Sequence, residues 1–213
     1  MSEPGPLFAV LDRARTLGFL GPGPVDAHIE HARGFGLTAE AALGRAPQRA
    51  LDLGPGGGIP GLVLADRWPE TSVILVESSR RRSEHLRRAV DELGWTGRVK
   101  VLHERAELVA RDPDYREGVE LVTARSFAEP AATAEIAAGL VSVGGFAAVS
   151  EPPDERTDRW PPAELEALGF DPPQFVEQVV GHFVVVAKRN PAPHDVPRGV
   201  GRPGKRPRWR RFT

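Results

Sequence analysis

The fold is decided by the stretch Ala50-Leu51-Asp52-Leu53-Gly54-Pro55-Gly56-Gly57-Gly58-Ile59-Pro60-Gly61, in which an apolar strand leads through clustered glycines into a predicted helix. Glycines permit positive φ angles and carry no Cβ atom that would keep a ligand away from the backbone. Pro60 suits the first helical turn, where its missing N–H is not needed. The stretch therefore predicts a small-molecule site at the carboxyl end of a strand.

The spacing of the glycines leaves more than one ligand open. The G-x-G-x-x-G pattern of dinucleotide sites is matched by Gly56, Gly58 and Gly61. However, Asp52 lies two residues before Gly54, which gives the acid-x-Gly-x-Gly-x-Gly layout of sites for S-adenosylmethionine (SAM). Pro60 also occupies a helix-start position whose N–H a pyrophosphate would need. We therefore favour SAM as the cofactor, with a dinucleotide site and a purely structural turn as the alternatives.

An acidic residue follows the next apolar strand. The run Ser72-Val73-Ile74-Leu75-Val76 ends in Glu77, whose carboxylate can accept hydrogen bonds from both hydroxyls of a ribose. The residues that we assign to the cofactor on these patterns are Gly54, Gly56, Gly58 and Glu77.

The composition is that of one globular domain with a small extension. The chain has 213 residues, of which 40% are apolar. Its first residues are acidic and broken by prolines, and no sustained apolar run follows, so we predict no secretory signal, no membrane span and a cytoplasmic protein. The chain has no cysteine, which excludes disulfides, thiolate metal sites and methylation through a cysteine nucleophile.

The charge of the chain is unevenly distributed. The formal net charge is −1, but residues 188–213 carry nine basic residues and one acid, which leaves −9 on the preceding part. Basic residues neutralise phosphates, and Trp209 and Phe212 can stack on unpaired bases. We therefore predict that this tail holds RNA, with a disordered solvated terminus as the alternative. Its basic residues from position 198 onward are Arg198, Arg202, Lys205, Arg206, Arg208, Arg210 and Arg211.

Strand and helix patterns alternate after residue 49. We predict strands near 49–54, 72–77, 98–103, 119–124, 144–150, 174–180 and 182–188. We predict helices near 7–20, 25–33, 60–67, 79–93, 104–110, 128–140 and 161–168. The last two strands are separated by little more than a turn, so they must be antiparallel.

These elements predict an α/β fold of the Rossmann-like, class I SAM-dependent methyltransferase type. Its seven-stranded, mostly parallel sheet would close with a C-terminal antiparallel hairpin and carry a short N-terminal helical extension. We expect three parts: a helical extension over 1–45, a SAM-binding domain over 46–190 and a basic Pro/Arg-rich tail over 191–213.

Two further patterns are interpreted as surface features. His28 and His31 fall three residues apart on a predicted helix, but no third ligand follows at a recognisable spacing, so we predict no metal site. The helix near 79–93 carries an arginine cluster that we interpret as a solvated face, with an RNA platform as the alternative. Its members are Arg80, Arg81, Arg82, Arg87 and Arg88.

From about residue 50 to 208 the sequence resembles the bacterial 16S rRNA guanine-N7 methyltransferases, the GidB family. The matching stretches are Asp52–Leu62 with its Gly-Ile-Pro-Gly element, Val76-Glu77-Ser78 with Arg82, Arg105-Ala106-Glu107, Val122–Ala128 and the basic Pro197–Pro207. The resemblance implies a SAM-dependent methyltransferase acting on N7 of a guanine in 16S rRNA, either as naked RNA or within the small ribosomal subunit. We expect a monomer.

The resemblance also implies roles for single residues. Gly54 and Ile59 would line the cofactor, and Ala106 and Glu107 would hold its adenine end. Arg125 would lie beside the cofactor and the target base, and it is the catalytic candidate because its planar guanidinium can donate to guanine O6 or to a phosphate.

Two of the residues assigned to the RNA have structural alternatives. Phe127 could stack on a base or pack in the core, and Arg125 could instead pair with Glu107. The residues that we assign to RNA are Phe127, Arg198, Arg202, Lys205, Arg206 and Arg208.

The chain departs from the family pattern on the substrate side. It has Ser150-Glu151-Pro152-Pro153 where the family usually carries Lys-Gly, Ser126 replaces an alanine, and Glu30-His31 only partly matches an N-terminal motif. A non-catalytic or retargeted RNA-binding protein is therefore an alternative function, and a nucleotide-dependent oxidoreductase is another.

Overall fold

The structure is a computed structural model that describes residues 5–153 and 157–210. Its strands are β1 (Arg49–Leu53), β2 (Ser72–Val76), β3 (Val99–Leu102), β4 (Val119–Ala124), β5 (Val141–Glu151), β6 (Gln174–Gln178) and β7 (Gly181–Ala187). They form one sheet in the order β3-β2-β1-β4-β5-β7-β6. Strands β1 to β5 are parallel, and β7 is antiparallel to both β5 and β6. The predicted fold and its closing hairpin are confirmed.

Eight α-helices accompany this sheet in the part of the chain that the structure describes. They are α1 (Pro6–Thr16), α2 (Val25–Leu43), α3 (Gly61–Arg67), α4 (Arg80–Glu92), α5 (Ala106–Val109), α6 (Pro130–Ala138), α7 (Pro162–Glu166) and α8 (Arg202–Lys205). Seven of them match predicted helices, and α8 lies in the segment that was interpreted as a tail. Within the described residues, none of these helices is both long enough and apolar enough to span a membrane.

The register of the central strand β1 with its two neighbours determines which residues meet at the carboxyl edge of the sheet. It is paired on both sides, and Leu53 lies beside Val76 of β2 and beside Ala124 of β4. Because these strands are parallel and in register, the residues that follow them emerge at the same edge. Gly54, which follows β1, therefore lies at the level of the residues that follow β2 and β4.

The carboxyl group of Asp52 joins three elements inside the sheet. Its Oδ2 accepts a hydrogen bond from the backbone N–H of Gly61 at 2.7 Å, and its Oδ1 accepts one from Thr123 Oγ1 at 2.9 Å. A side chain at Gly61 would force its neighbours to shift, because a Cβ atom would lie 2.3 Å from Leu75 Cδ2 and 2.8 Å from Asp52 Oδ2. Burial raises the pKa of Asp52 to about 7, although the hydrogen bonds from Thr123 and Gly61 act in the opposite direction.

Helix α2 continues to Leu43, whereas the sequence predicted an end near Arg33. The prediction was wrong because Gly34 and Gly36 look like helix-ending residues. Both instead allow close packing, since a Cβ atom on Gly34 would lie 2.6 Å from Phe183 Cζ and one on Gly36 would lie 2.6 Å from Arg67 Cδ. The helix therefore lies directly against β7 and α3.

The tail differs from the separate basic segment that was predicted, because residues 191–210 pack on the domain. The backbone N and Nε of Arg198 donate to Glu135 Oε1, both at 2.8 Å, and its Nη2 donates to Oε2 at 2.6 Å. The Glu135 side chain on α6 is fully buried. A buried carboxylate needs a charged partner, and Arg198 supplies it. Arg211 and Phe212 of the predicted tail lie outside the described residues.

The titration of Asp52 can be tested through the pH dependence of stability. Since its pKa is raised from 3.8 to about 7 in the folded protein, its contribution to stability is fully present below about pH 4 and is lost as the pH rises to about 7. Asn at this position keeps an acceptor for Gly61 but does not titrate. As the pH rises across that window, the wild type should lose unfolding free energy relative to Asp52→Asn, by on the order of 1 kcal/mol per pH unit.

Urea denaturation of both proteins at several pH values in this window measures the difference, in which the contributions of all other titrating groups cancel. A difference that stays constant with pH would show that the Asp52 carboxyl titrates as an exposed group does.

Candidate functional site

A cavity of about 440 Å³ opens at the carboxyl ends of the parallel strands, and we call it the cofactor cavity. Ligands of open α/β sheets bind at this edge. Residues that follow four different strands line it, including Gly54, Glu77, Ala106, Glu107, Ser126 and Phe127. The structure therefore brings together four of the residues that the sequence assigned to the cofactor, from segments that lie far apart in the chain.

The glycine loop makes room in this cavity and also shapes the acid beside it. Gly54 has a φ of +66°, and a Cβ atom there would lie 2.9 Å from Cδ2 of Phe127. The backbone N–H of Gly56 donates to Glu77 Oε2 at 3.2 Å, and that of Ser79 donates to Oε1 at 2.8 Å. A carboxylate offers about four lone-pair positions, so Glu77 is held in place and can still accept hydrogen bonds from a ligand.

Gly56, Gly58 and Ile59 do not line the cofactor cavity, although the sequence assigned all three to the cofactor. A Cβ atom on Gly58 would lie 2.4 Å from Leu62 Cδ1, so this glycine serves the packing of α3 against the loop. Ile59 is buried in an apolar cluster together with Leu62 and Val63. Their position in the structure gives them a role in holding the loop, and their assignment to the cofactor stays a prediction.

Glu107 connects the cofactor cavity to the tail. Its Oε1 accepts hydrogen bonds from Arg105 Nη2 at 2.8 Å and from the backbone N–H of Gly201 at 3.0 Å. Burial would raise the pKa of Glu107, but these hydrogen bonds outweigh burial and hold the pKa below its usual value. Gly201, Gly204 and Lys205 line the cavity, so the tail, which the sequence assigned to RNA and not to the cofactor, forms one of its walls.

A second pocket of about 360 Å³ shares Ser126, Phe127 and Ala128 with the cofactor cavity, and we call it the acceptor pocket. Arg125, His31 and Glu151 also line it. Three buried polar atoms of residues that line the acceptor pocket, His31 Nδ1, Arg159 Nε and Trp160 Nε1, have no hydrogen-bond partner among the described residues. Since buried polar atoms in proteins are normally paired, the acceptor pocket suits a polar ligand.

Arg125 is held by a histidine of α2. Its Nη2 lies 2.8 Å from Nδ1 of His28, and Nε2 of His28 lies 3.1 Å from the carbonyl oxygen of Gly21. A carbonyl can only accept, so Nε2 carries the proton and Nδ1 accepts from the guanidinium. The alternative pairing of Arg125 with Glu107 is not adopted, because Glu107 pairs with Arg105. The interpretation of His28 as a partly exposed residue was wrong, since only 5% of it is exposed.

The pKa values of two ionisable groups in the acceptor pocket are shifted. Burial lowers the pKa of His31 to about 4, and the charge of Arg125 adds to this effect. Burial also lowers the pKa of Arg125, against the stabilising charge of Asp52. Glu151, at the position where the family usually has Lys-Gly, pairs with Arg159 at 2.5 Å. The acid that departs from the family pattern is thus neutralised by an arginine from the following segment.

The positive charges of the surface fall into two groups. Arg198 and Arg208 are compensated, the second by Glu135 and Asp195, both at 3.5 Å. The second group is exposed, and it includes Arg202, Lys205 and Arg206 of the tail and Arg81, Arg82, Arg87 and Arg88 of α4. Arg80 of α4 is also exposed, but it pairs with Glu84 at 2.8 Å. Among the described residues, no group of three or more His, Asp or Glu side chains is placed to hold a metal ion.

The strand order, the glycine loop after β1 and the acid after β2 define the class of the protein, a class I SAM-dependent methyltransferase fold. Solved structures share this fold. A SAM-dependent O-methyltransferase from Thermotoga maritima is similar with a TM-score of 0.63 and 13% identity, over 86% of this chain and 72% of that one. The SAH-bound methyltransferase PaMTH1 from Podospora anserina has a TM-score of 0.59 and 16% identity, over 88% and 89%.

Sequence relatives identify the family. A family model described as rRNA small subunit methyltransferase G matches residues 37–150. The ribosomal RNA small subunit methyltransferase G of Roseiflexus castenholzii is 36% identical over 80% of this chain and 75% of that protein. The protein of the same name from Rubrobacter xylanophilus is 34% identical over 94% and 80%. The chain therefore belongs to the rRNA small subunit methyltransferase G family.

The room that Gly54 makes can be tested with an alanine. In Gly54→Ala the new Cβ atom would lie 2.9 Å from Phe127 Cδ2, so Phe127, which lines the cofactor cavity, must shift. We expect the affinity for SAM to fall about tenfold or more, a change of at least ~1.4 kcal/mol. Isothermal titration calorimetry measures this affinity.

Gly44→Ala is the matched control for Gly54→Ala. Gly44 has nearly the same φ, +70°, and nothing within 4 Å of the added Cβ atom, so this variant carries the same backbone strain without touching the cavity. We expect similar thermal unfolding for the two variants and normal SAM binding for Gly44→Ala. Equal SAM affinities would show that the cofactor does not lie beside Gly54.

Proposed function

We propose that this protein transfers the methyl group of SAM to N7 of a guanine in the 16S rRNA of the small ribosomal subunit. The observation that carries the proposal is the arrangement of the two sites. In a chain of this family, a cofactor cavity and a polar acceptor pocket share the wall formed by Ser126, Phe127 and Ala128. Methyl transfer requires direct contact between donor and acceptor, so the two ligands must meet where these adjacent cavities adjoin.

The residues of the cofactor cavity fit SAM. Bound there, SAM supplies a methyl group on a positively charged sulfur. The fixed carboxylate of Glu77 would accept hydrogen bonds from the ribose hydroxyls, and Ala106 offers an apolar surface to the adenine. Gly54 leaves the space that a side chain would fill. Glu107 would act mainly through Gly201, by holding the tail against this end of the cavity.

Methylation at N7 agrees with the ionisable groups of the acceptor pocket. Guanine N7 has an exposed lone pair and no proton to lose, so the reaction needs alignment rather than a general base, and alignment can contribute roughly 7–11 kcal/mol. His31, with a pKa of about 4, is a weak base at neutral pH. Asp52 and Glu151 are both engaged in the bonds described above. These residues position a base better than they would remove a proton.

Arg125 is the residue that we propose to position the guanine. Its guanidinium would donate to O6 or to the adjoining phosphate, which leaves N7 free. His28 keeps the guanidinium directed into the acceptor pocket. Phe127 lines both cavities and would pack against the guanine where the cavities adjoin, beside the path of the methyl group. Exposed tail cations, Arg202, Lys205 and Arg206, would contact RNA phosphates.

A non-catalytic RNA-binding protein with this fold is the second candidate function. Glu151 favours it, because an acid in the acceptor pocket replaces a positive residue of the family pattern. Incubation with labelled SAM and either deproteinised rRNA or small ribosomal subunits separates the two candidates. The proposed enzyme labels the RNA, whereas a protein of the second kind binds the same RNA and leaves it unlabelled.

The role of Arg125 is tested in the same assay. We expect Arg125→Ala to reduce the rate of methyl transfer at least a hundredfold, a loss of transition-state stabilisation on the order of 3 kcal/mol, while SAM affinity is unchanged. Arg125→Lys should recover only part of the rate, because lysine keeps the charge but lacks the planar fork. His28→Ala should reduce transfer less, since the arginine is then present but unheld.

The double variant of His28 and Arg125 decides whether the two side chains act as a unit. If they do, removing His28 costs nothing further once Arg125 is alanine. If the losses in transfer rate are additive, His28 acts independently of Arg125. If Arg125→Ala has near-normal turnover, Arg125 has only a structural role.

A further inference from the structure

A third cavity of about 380 Å³ lies beside both sites, and we call it the flanking cleft. It is formed between the start of α6, at Pro130 and Ala131, and the tail segment 204–210. The flanking cleft shares Pro130 and Arg159 with the acceptor pocket. It also shares Gly204 and Lys205 with the cofactor cavity. A chain that enters the acceptor pocket therefore has the flanking cleft directly beside it.

Trp209 provides a flat surface in the flanking cleft. Its Nε1–H donates to the carbonyl oxygen of Arg159 at 3.0 Å, which fixes the orientation of the indole. The ring is half-buried, so one part packs on the domain core while another part lines the cleft. Pro130 and Pro207 add apolar surface. A rigid aromatic ring with apolar neighbours is a stacking surface for a nucleic-acid base.

The charges around the flanking cleft suit a phosphate at its rim. Lys205 and Arg210 line the cleft and are exposed, whereas Arg198 and Arg208 of the same tail are turned towards Glu135. Glu129 is the acid on the wall of the cleft. Exposed cations beside an aromatic ring are the combination by which proteins hold single-stranded RNA.

We propose that the flanking cleft binds the nucleotide next to the methylated guanine, with its base stacked on Trp209 and its phosphate near Lys205 and Arg210. This inference rests on the proposed function, because the guanine must occupy the acceptor pocket for its neighbour to reach the cleft. The enzyme would then hold an unpaired, splayed strand at two consecutive bases, and the recognised RNA is single-stranded at the site of methylation.

The first test measures binding of an RNA oligonucleotide that spans the guanine labelled in rRNA. We expect Trp209→Ala to weaken RNA binding about tenfold while SAM affinity is unchanged, and Trp209→Phe to restore most of it, because stacking needs a ring and not the indole N–H. Arg210→Ala should lower the log–log salt slope by about 0.7 for a single strand. Arg189 is also exposed, but it pairs with Asp171 outside the three cavities, so Arg189→Ala should leave the slope unchanged.

The second test uses oligonucleotides that lack the base on one or the other side of the guanine. The wild type should lose affinity for one of these abasic RNAs, and Trp209→Ala should bind that RNA and the complete RNA equally well. Equal sensitivity of the two proteins to both abasic RNAs, or normal RNA binding by Trp209→Ala, overturns the inference. The proposed function is tested separately by the labelling assay. If the wild-type protein leaves rRNA unlabelled, the proposed function fails, and the inference about the flanking cleft fails with it.

Discussion

The carboxyl group of Asp52 lies fully inside the sheet and joins three elements that would otherwise be free to shift against one another. Its two oxygens accept hydrogen bonds from the start of α3 and from β4, and these bonds fix where the glycine loop that leaves β1 ends. That loop in turn holds Glu77 through Gly56. The cofactor cavity therefore depends on a buried acid that does not line it, and the raised pKa of this acid is the energetic cost of the arrangement.

The acceptor pocket depends on a different kind of contact, between the N-terminal helices and the loop after β4. His28 of α2 receives the guanidinium of Arg125, and the closeness of α2 to the sheet is permitted by glycines that face Phe183 and Arg67. The N-terminal extension is thus part of the site as well as of the core. At the other end of the chain, Gly201 and the buried pair of Glu135 and Arg198 bring the tail to the cavity edge.

The sequence predicted the sheet well because its signals are local. Short apolar runs and the turn at Gly181 identify the strands, and the glycine phase with Glu77 identifies the cofactor end. It failed where tertiary contacts decide. Gly34 and Gly36 gave a premature end to α2, and no spacing in the chain indicates that His28 meets Arg125 or that Glu107 meets Gly201. The tail was predicted to be a separate part because its positive charge is visible in the sequence. Nothing in the sequence indicates that Glu135 is buried and pairs with Arg198 of the tail.

The central claim is that the acceptor pocket aligns a guanine whose N7 needs no base. The most direct measurement is the identity of the modified nucleoside after wild-type protein has acted on small-subunit rRNA with labelled SAM. The RNA is digested to nucleosides, and the label is followed by chromatography and mass spectrometry. The geometry around Arg125 and the weakly basic His31 predicts that the label is found in 7-methylguanosine. Label on an exocyclic amine or on a ribose hydroxyl, each of which must lose a proton, would contradict it.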